Sequence, residues 1–369
     1  MDILDNMDKI KCTGCEVCKN VCSKNAIAME TDEEGFWYPR TSLEKCVSCG
    51  QCRKVCPSLK KAETENEERP EVYAGWSLDE EVRFHSTSGG VFSELANIIL
   101  KQGGFICGAI YNEDQMVEHY LTEKSEGLLK IRQSKYVQSR MNDIYQEIGH
   151  ILKSGKSLLF CGSPCQCAGV KNYLDLKKIC QEQLILVDFI CRGANSPKVY
   201  RKYLDELEVA YGSKITKVWF KNKSYGWNHF STKIEFEDGQ YYLEDRKHDA
   251  YVRGYIEKNL YMRPSCTACI HKGFPRVSDI TLADFWGIQL RQKDKDTDKG
   301  TSMLILNSIK AKKLFPLLKE RIFFEQKTLE EAEKGNFCMY HSVPFGENRA
   351  QFMCDLEQMS FTENIRRFL

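Results

Sequence analysis

Cys12-Thr13-Gly14-Cys15-Glu16-Val17-Cys18-Lys19-Asn20-Val21-Cys22-Ser23 is followed at a distance by Cys46-Val47-Ser48-Cys49-Gly50-Gln51-Cys52-Arg53-Lys54-Val55-Cys56-Pro57, which has the same cysteine spacing. Three Cys on one tight loop supply three corners of a cuboidal 4Fe–4S cluster, and in paired runs the fourth Cys of each reaches across to the other cluster. The spacing therefore predicts one cluster on Cys12, Cys15, Cys18 and Cys56 and a second on Cys46, Cys49, Cys52 and Cys22. The second run keeps the Pro that usually follows it, whereas the first has Ser23 there. Structural zinc takes four ligands in all and fits two consecutive four-Cys runs poorly. A disulfide framework needs an oxidising compartment, and nothing in the sequence indicates export.

Between the runs, Ala26-Ile27-Ala28-Met29 and Phe36-Trp37-Tyr38-Pro39 flank an acidic turn at Asp32 to Gly35. That is a hairpin pattern, with aromatic mass to shield a cluster. The segment resembles a bacterial ferredoxin, and residues 1–57 read as an α+β ferredoxin-like dicluster module. The full 369 residues leave room for one or two further domains with cores of their own. A net charge of +1 with scattered Lys and Arg argues against nucleic acid or anionic membrane as partners. No apolar stretch approaches the roughly twenty residues of a membrane span, and the N-terminus has no signal-peptide pattern. The expectation is a soluble cytoplasmic protein. Clusters account for 18 Cys in a reduced compartment better than disulfides do, and they point to an anaerobic or microaerobic host. Residues 58–71, rich in Lys, Glu, Thr and Asn, read as a charged, solvated linker.

After a short strand at Val72 to Trp76 comes Ser86-Thr87-Ser88-Gly89-Gly90, then a helix from Val91 to Gln102 with Ser88 as its N-cap. Such a turn presents backbone N–H groups at the positive end of a helix and suits a phosphate, though it reads equally well as an ordinary capped helix. Lys135 is placed either to neutralise a pyrophosphate or touch a flavin ring, or to sit in solvent. The apolar strands at 157–161 and 184–190 run into Gly162-Ser163-Pro164-Cys165 and Cys191-Arg192-Gly193, and each is followed by a helix, the second opened by Ser196-Pro197. Strand–helix repeats imply parallel neighbours with ligand sites off their carboxyl ends, so Cys165 and Cys191 share one rim. With Cys266-Thr267-Ala268-Cys269 they make one further cluster's worth of ligands, Cys161 or Cys167 being rivals to Cys165. Cys107, Cys180, Cys338 and Cys354 read as small buried hydrophobes. Tyr225-Gly226-Trp227-Asn228 reads as a loop with exposed aromatic character, and residues 293–300 as a charged loop.

Four stretches together, residues 86–90 with their helix, 160–169, 188–197 and 266–287, resemble the beta subunit of coenzyme F420 hydrogenases and dehydrogenases, here fused to the two-cluster ferredoxin. The resemblance implies an α/β flavin-binding domain with a mixed, partly parallel sheet. Residues 72–155 would form its N-terminal flavin-binding part and 156–369 a C-terminal part carrying the third 4Fe–4S cluster. It also implies bound FAD, with Ser86, Ser88, Gly89, Gly90, Lys135, Gly162, Ser163 and Pro164 near the flavin; Ser163 stands where Thr is commoner. The activity implied is that of an oxidoreductase in which FAD converts between the single electrons of clusters and the two-electron chemistry of a deazaflavin or another planar substrate. No side chain is assigned to catalysis, which would be the flavin's. The alternative is a non-catalytic subunit that wires a partner oxidoreductase to a ferredoxin pool.

Overall fold

A computed structural model describes residues 7–291 and 297–369. Residues 293–296 of the expected charged loop lie outside that description. The remainder of the loop is tied down, Asp298 accepting the backbone N–H groups of Trp227 and Asn228 at 2.9 Å each.

In the N-terminal module α1 (Val17–Val21) and α2 (Gln51–Val55) follow the two Cys loops, and β1 (Ile27–Thr31) pairs antiparallel with β2 (Trp37–Thr41). Each helix starts from a left-handed residue, Glu16 at φ 64° and Gly50 at φ 70°. That is the sharp turn a three-Cys loop needs before its helix.

The second module alternates β3 (Glu71–Ser77), α3 (Glu80–Phe84), α4 (Val91–Lys101), β4 (Phe105–Tyr111), β5 (Val117–Thr122), α5 (Ser125–Ile131), α6 (Ile144–Lys153), β6 (Leu158–Cys161), α7 (Pro164–Leu176), β7 (Leu184–Phe189) and α8 (Pro197–Tyr211). A meander follows: β8 (Ile215–Asn222), β9 (Ser231–Phe236) and β10 (Tyr241–Asp245), then α9 (Ala250–Ile256). The chain then re-enters the main sheet with β11 (Ile280–Asp284), β12 (Ser302–Leu306), α10 (Ile309–Lys319) and β13 (Ile322–Lys327), and ends with α11 (Leu329–Lys334), α12 (Arg349–Asp355) and α13 (Phe361–Arg366).

Among the described residues the main sheet has eight strands in the order β13-β3-β12-β11-β7-β6-β4-β5. Its centre, β4-β6-β7-β11, is parallel, and the pairings of β5, β12 and β13 are antiparallel, so the sheet is mixed and partly parallel. Helices on both faces explain why Leu158, Leu159 and Phe160 of β6 are consecutive and wholly buried. α4, α5 and α10 supply Leu95, Leu128 and Phe315 to one face. On the other face, α6 and α7 share an apolar cluster with Val17, Val21 and Val55 of the N-terminal module. That seam is also hydrogen-bonded: Tyr145 Oη donates to the Cys15 carbonyl at 2.7 Å, and Asn172 Nδ2 to the carbonyls of Val55 and Lys60 at 3.2 and 3.1 Å. Among the described residues no helix is long and apolar enough to cross a membrane.

Several local expectations are corrected. Residues 58–71 have no helix or strand up to Glu71, which opens β3, yet they are not a free tether. Ala62 is buried, and Asn66 Nδ2 donates to the carbonyls of Arg276 and Ser278 at 2.9 Å each. Gly90, at φ 87°, is the N-cap of α4, while the Ser88 hydroxyl donates to the Thr301 carbonyl at 2.7 Å. Trp227 is buried, stacked on Trp286 at 4.4 Å with its indole N–H on Asp284 Oδ1 at 2.9 Å. Cys107 is buried, but Cys338 is only partly so, and Cys180 and Cys354 are exposed.

At the carboxyl end of β7, Asp188 accepts the Arg276 Nε–H at 3.1 Å and the Thr281 hydroxyl at 2.6 Å, with both charged side chains at 3% exposure or less. Asp188→Ala would strand the guanidinium without a counter-charge. The variant is expected to lose about 3–5 kcal/mol in urea titrations, with Asp188→Asn losing less.

Candidate metal centres

Cys12, Cys15, Cys18 and Cys56 line one hollow of the N-terminal module, and Cys22, Cys46, Cys49 and Cys52 line another. Each run thus sends its last Cys to the other's hollow, which the loop–helix geometry achieves by placing Cys22 and Cys56 just past α1 and α2. The two hollows differ in depth. Cys12, Cys15, Cys18 and Cys56 are buried, whereas Cys49 is exposed and shares its hollow with exposed Val47.

The second module assembles a further quartet from three distant stretches. Cys165 lies in the first turn of α7, Cys191 just past β7, and Cys266 and Cys269 in and after the short 3-10 turn Pro264–Ala268. Burial pushes the Cys165 thiol up to about 12, and the proximity of Cys269 and Cys266 adds to it. Burial likewise raises Cys191, with Cys266, Cys165 and Cys269 as charged neighbours and Lys272 opposing them. The Ala194 N–H points at Cys266 Sγ at 3.3 Å, the kind of bond that tunes a thiolate ligand.

The two rivals face elsewhere. Cys167 directs its thiol at the carbonyls of Gly162 and Val187, at 3.8 and 3.5 Å. Cys161 has Asp188 and Lys135 as its charged neighbours and none of the quartet. Among the described residues no three His, Cys, Asp or Glu side chains are grouped to hold a single metal ion. A cuboid differs in keeping its four thiolates on separate corners, and its positive core deprotonates thiols that burial and mutual repulsion otherwise keep protonated.

The buried and second-module quartets adjoin. Burial raises the Cys15 thiol, with Cys56 and then Cys165 as neighbours that add to the rise. Tyr145, raised by burial, senses Cys15 and Cys165 together. Arg263, three residues before Cys266, crosses into the N-terminal module with its guanidinium fully buried. Its Nε donates to the Cys12 carbonyl at 2.8 Å, Nη2 to the Trp37 carbonyl at 3.0 Å, and Nη1 to Gln138 Oε1 at 3.0 Å. Nothing in the local sequence singled out this residue; only the Cys266 motif beside it drew attention.

The positions named for a flavin are brought to the rim of the sheet, but their polar groups are already engaged. Ser86 and Ser88 donate to the carbonyls of Val82 and Thr301, both at 2.7 Å. The Gly89 N–H is held by Ser302 Oγ at 2.9 Å, and a Cβ at Gly89 would meet the Gly75 carbonyl at 2.4 Å. Gly90 starts α4, where the nearby Glu94 carboxylate holds Ser77 and Arg321, so a negative charge already occupies that helix end. Lys135 Nζ caps the end of α5 on four carbonyls, those of Lys130, Ile131, Arg132 and Gln133 at 2.9–3.3 Å. Burial draws its pKa down to about 7, and those carbonyls favour the charged form. Gly162 is followed by a closed capping box, Ser163 with Gln166, ahead of Pro164 in the first turn of α7. The polar groups described at these positions bond within the protein itself.

Comparison with known proteins assigns residues 11–59 to the 4Fe-4S dicluster domain. Two models of the coenzyme F420 hydrogenase/dehydrogenase beta subunit also match, the one for its N-terminal part over residues 72–146 and the one for its C-terminal part over residues 155–332. An uncharacterized ferredoxin of Methanocaldococcus jannaschii is 36% identical over 52 residues, which are 14% of this chain and 66% of that protein, just under two thirds of its length. Among solved structures, a chain from the xenon-derivatized F420-reducing NiFe hydrogenase complex of Methanosarcina barkeri aligns with a TM-score of 0.49 at 16% identity, covering 83% of this chain and 94% of that one.

Single replacements separate the three thiols of the α7 turn. Cys165→Ser is expected to cost about four irons per chain, one cluster's complement, while Cys161→Ser and Cys167→Ser keep the full iron content. Iron analysis of anaerobically purified protein reads the difference directly.

Proposed function

The chain belongs to the coenzyme F420 hydrogenase/dehydrogenase beta-subunit family, with a 4Fe-4S dicluster domain ahead of it, and on that footing we propose that it is an iron–sulfur electron-transfer protein holding three clusters in one file. Cys22, Cys46, Cys49 and Cys52 would hold the outer cluster, Cys12, Cys15, Cys18 and Cys56 the middle one, and Cys165, Cys191, Cys266 and Cys269 the inner one. Such clusters pass single electrons.

The observation that carries this reading is the junction of the two modules. Tyr145 donates to the Cys15 carbonyl at 2.7 Å and Arg263, three residues before Cys266, donates to the Cys12 carbonyl at 2.8 Å, across a seam of buried apolar side chains. The chain's own residues keep the file together: Tyr145 and Asn172 from the second module, and Arg263 from the Cys266 loop. Exposed Cys49, with exposed Val47 lining the same hollow, suits the approach of a separate one-electron partner such as a ferredoxin or an oxidoreductase subunit.

A second reading has the chain itself reduce or oxidise coenzyme F420 or another planar ring through FAD. Family membership favours it. The internal bonds of the Ser-Gly-Gly and Gly-Ser-Pro-Cys turns weigh against it, since those groups would have to exchange partners before they could hold a cofactor.

Anaerobic purification is expected to yield about twelve irons per chain, four for each of three clusters, with a visible absorbance that dithionite bleaches. Cys266→Ser should lower that to about eight irons and leave the N-terminal signals in place. Stoichiometric flavin together with turnover of coenzyme F420 by the isolated chain would establish the second reading. Zinc in place of iron would end both.

A further inference from the structure

We propose that Arg263 is a positioning residue that raises the reduction potential of the cluster held by Cys12, Cys15, Cys18 and Cys56, above what the same four thiolates would give without it. The inference rests on the three-cluster reading and goes beyond it by assigning a role to a residue that is no ligand.

The guanidinium has no exposed surface and forms no ion pair among the described residues. Its polar partners are the carbonyls of Cys12 and Trp37 and the side-chain oxygen of Gln138, and it lies over the rings of Tyr38 and Phe36 at 4.4 and 5.3 Å. Carbonyls and ring faces satisfy its N–H groups without neutralising its charge. The remaining contact is the telling one: Nη2 is directed at Cys12 Sγ at 3.6 Å. Arginine stays ionised at any working pH, and a charge surrounded by protein acts over a longer range than one in water. An isolated cation is costly to bury unless something nearby offsets it. The anionic iron–sulfur unit on Cys12 is that counter-charge.

A cluster gains negative charge when it is reduced, and its potential follows local charge, hydrogen bonds to sulfur, and solvent exposure. A fixed cation against one sulfur, in a buried pocket, favours the reduced form. The cation lining the outer quartet's hollow is Lys24, which is exposed and so screened by water, and Cys49 there faces solvent. Arg263 therefore biases the middle site to be the better electron acceptor of the two. Because Arg263 stands on the loop that carries Cys266, the same bond set fixes the spacing between the middle and inner sites. The fit is tight: a Cβ at Gly14 would come within 2.7 Å of Arg263 Nη1.

The experiment is a redox titration of the full chain followed by electron paramagnetic resonance, with Cys266→Ser used to subtract the inner cluster's signal. Arg263→Gln and Arg263→Met remove the charge, and Arg263→Lys keeps it on a point-like head that cannot span all four contacts. In neutral variants that retain wild-type iron, one N-terminal cluster is expected to move to a more negative midpoint while the other stays put, and Arg263→Lys should recover part of the shift. Unchanged midpoints in iron-replete neutral variants overturn the inference. If both neutral variants lose N-terminal iron while Arg263→Lys keeps wild-type midpoints, the residue is a structural clamp and the inference is likewise overturned; if Arg263→Lys then shows one N-terminal midpoint displaced downward, it stands. A wild-type chain with fewer than three clusters' worth of iron would fail the underlying reading instead, and the iron analysis tells the two failures apart.

Discussion

The seam between the N-terminal helices and the α6–α7 face is the constraint on which the rest of the molecule depends. Val17, Val21 and Val55 belong to the same apolar cluster as Tyr145, Ile148 and Tyr173, so the small module completes the large module's core. A 4Fe–4S site exposes its chemistry to water and dioxygen unless it is covered, and a module of this size has little apolar surface with which to cover two. Sharing a core solves that for one quartet and leaves the other at the surface, where a partner can reach it. Tyr145 on Cys15, Asn172 on Val55 and Asn20 on Asn142 tie the modules through backbone carbonyls, and Arg140 on Glu16 at 3.1 Å adds a side-chain ion pair.

The parallel centre of the large sheet explains where the third quartet stands. β6 and β7 end side by side, so the turns that follow them place Cys165 and Cys191 on one rim, and the Cys266 loop closes over it. The Asp188–Arg276 pair, with Thr281 and Asn307, stiffens the carboxyl end of β7 against β11 just before Cys191. A ligand set drawn from three stretches needs that rigidity, because a loop free to shift by an ångström would change how its thiolates meet.

What the sequence made legible was spacing and punctuation. The two Cys runs, the Ser196-Pro197 start of α8 and the apolar runs of β6 and β7 all carry their information within a few residues. What stayed hidden was decided by partners far along the chain. Ser88 looked like a helix cap, but Thr301 offers its hydroxyl a carbonyl, and Gly90 supplies the left-handed turn instead. Trp227 looked exposed until Trp286 and Asp284 received it. The linker's composition reads as that of a charged, solvated run that buries no core, yet Ala62 is buried. Its docking depends on Asn66 finding the carbonyls of Arg276 and Ser278, about two hundred positions away. Arg263 is the sharpest case, since its role exists only where Cys12, Trp37 and Gln138 surround it.

The scatter of the innermost ligands along the chain has a consequence for biogenesis. A ribosome that has delivered the first 57 residues has already released all eight thiols of the outer two sites, whereas the inner site waits until Cys269 has emerged. On the three-cluster proposal, maturation machinery would meet a nascent chain that can be charged in two stages. The hinge of the second stage is the arrival of residues 263–269, which bring the last two sulfurs and the latch onto the first-made module in the same stroke.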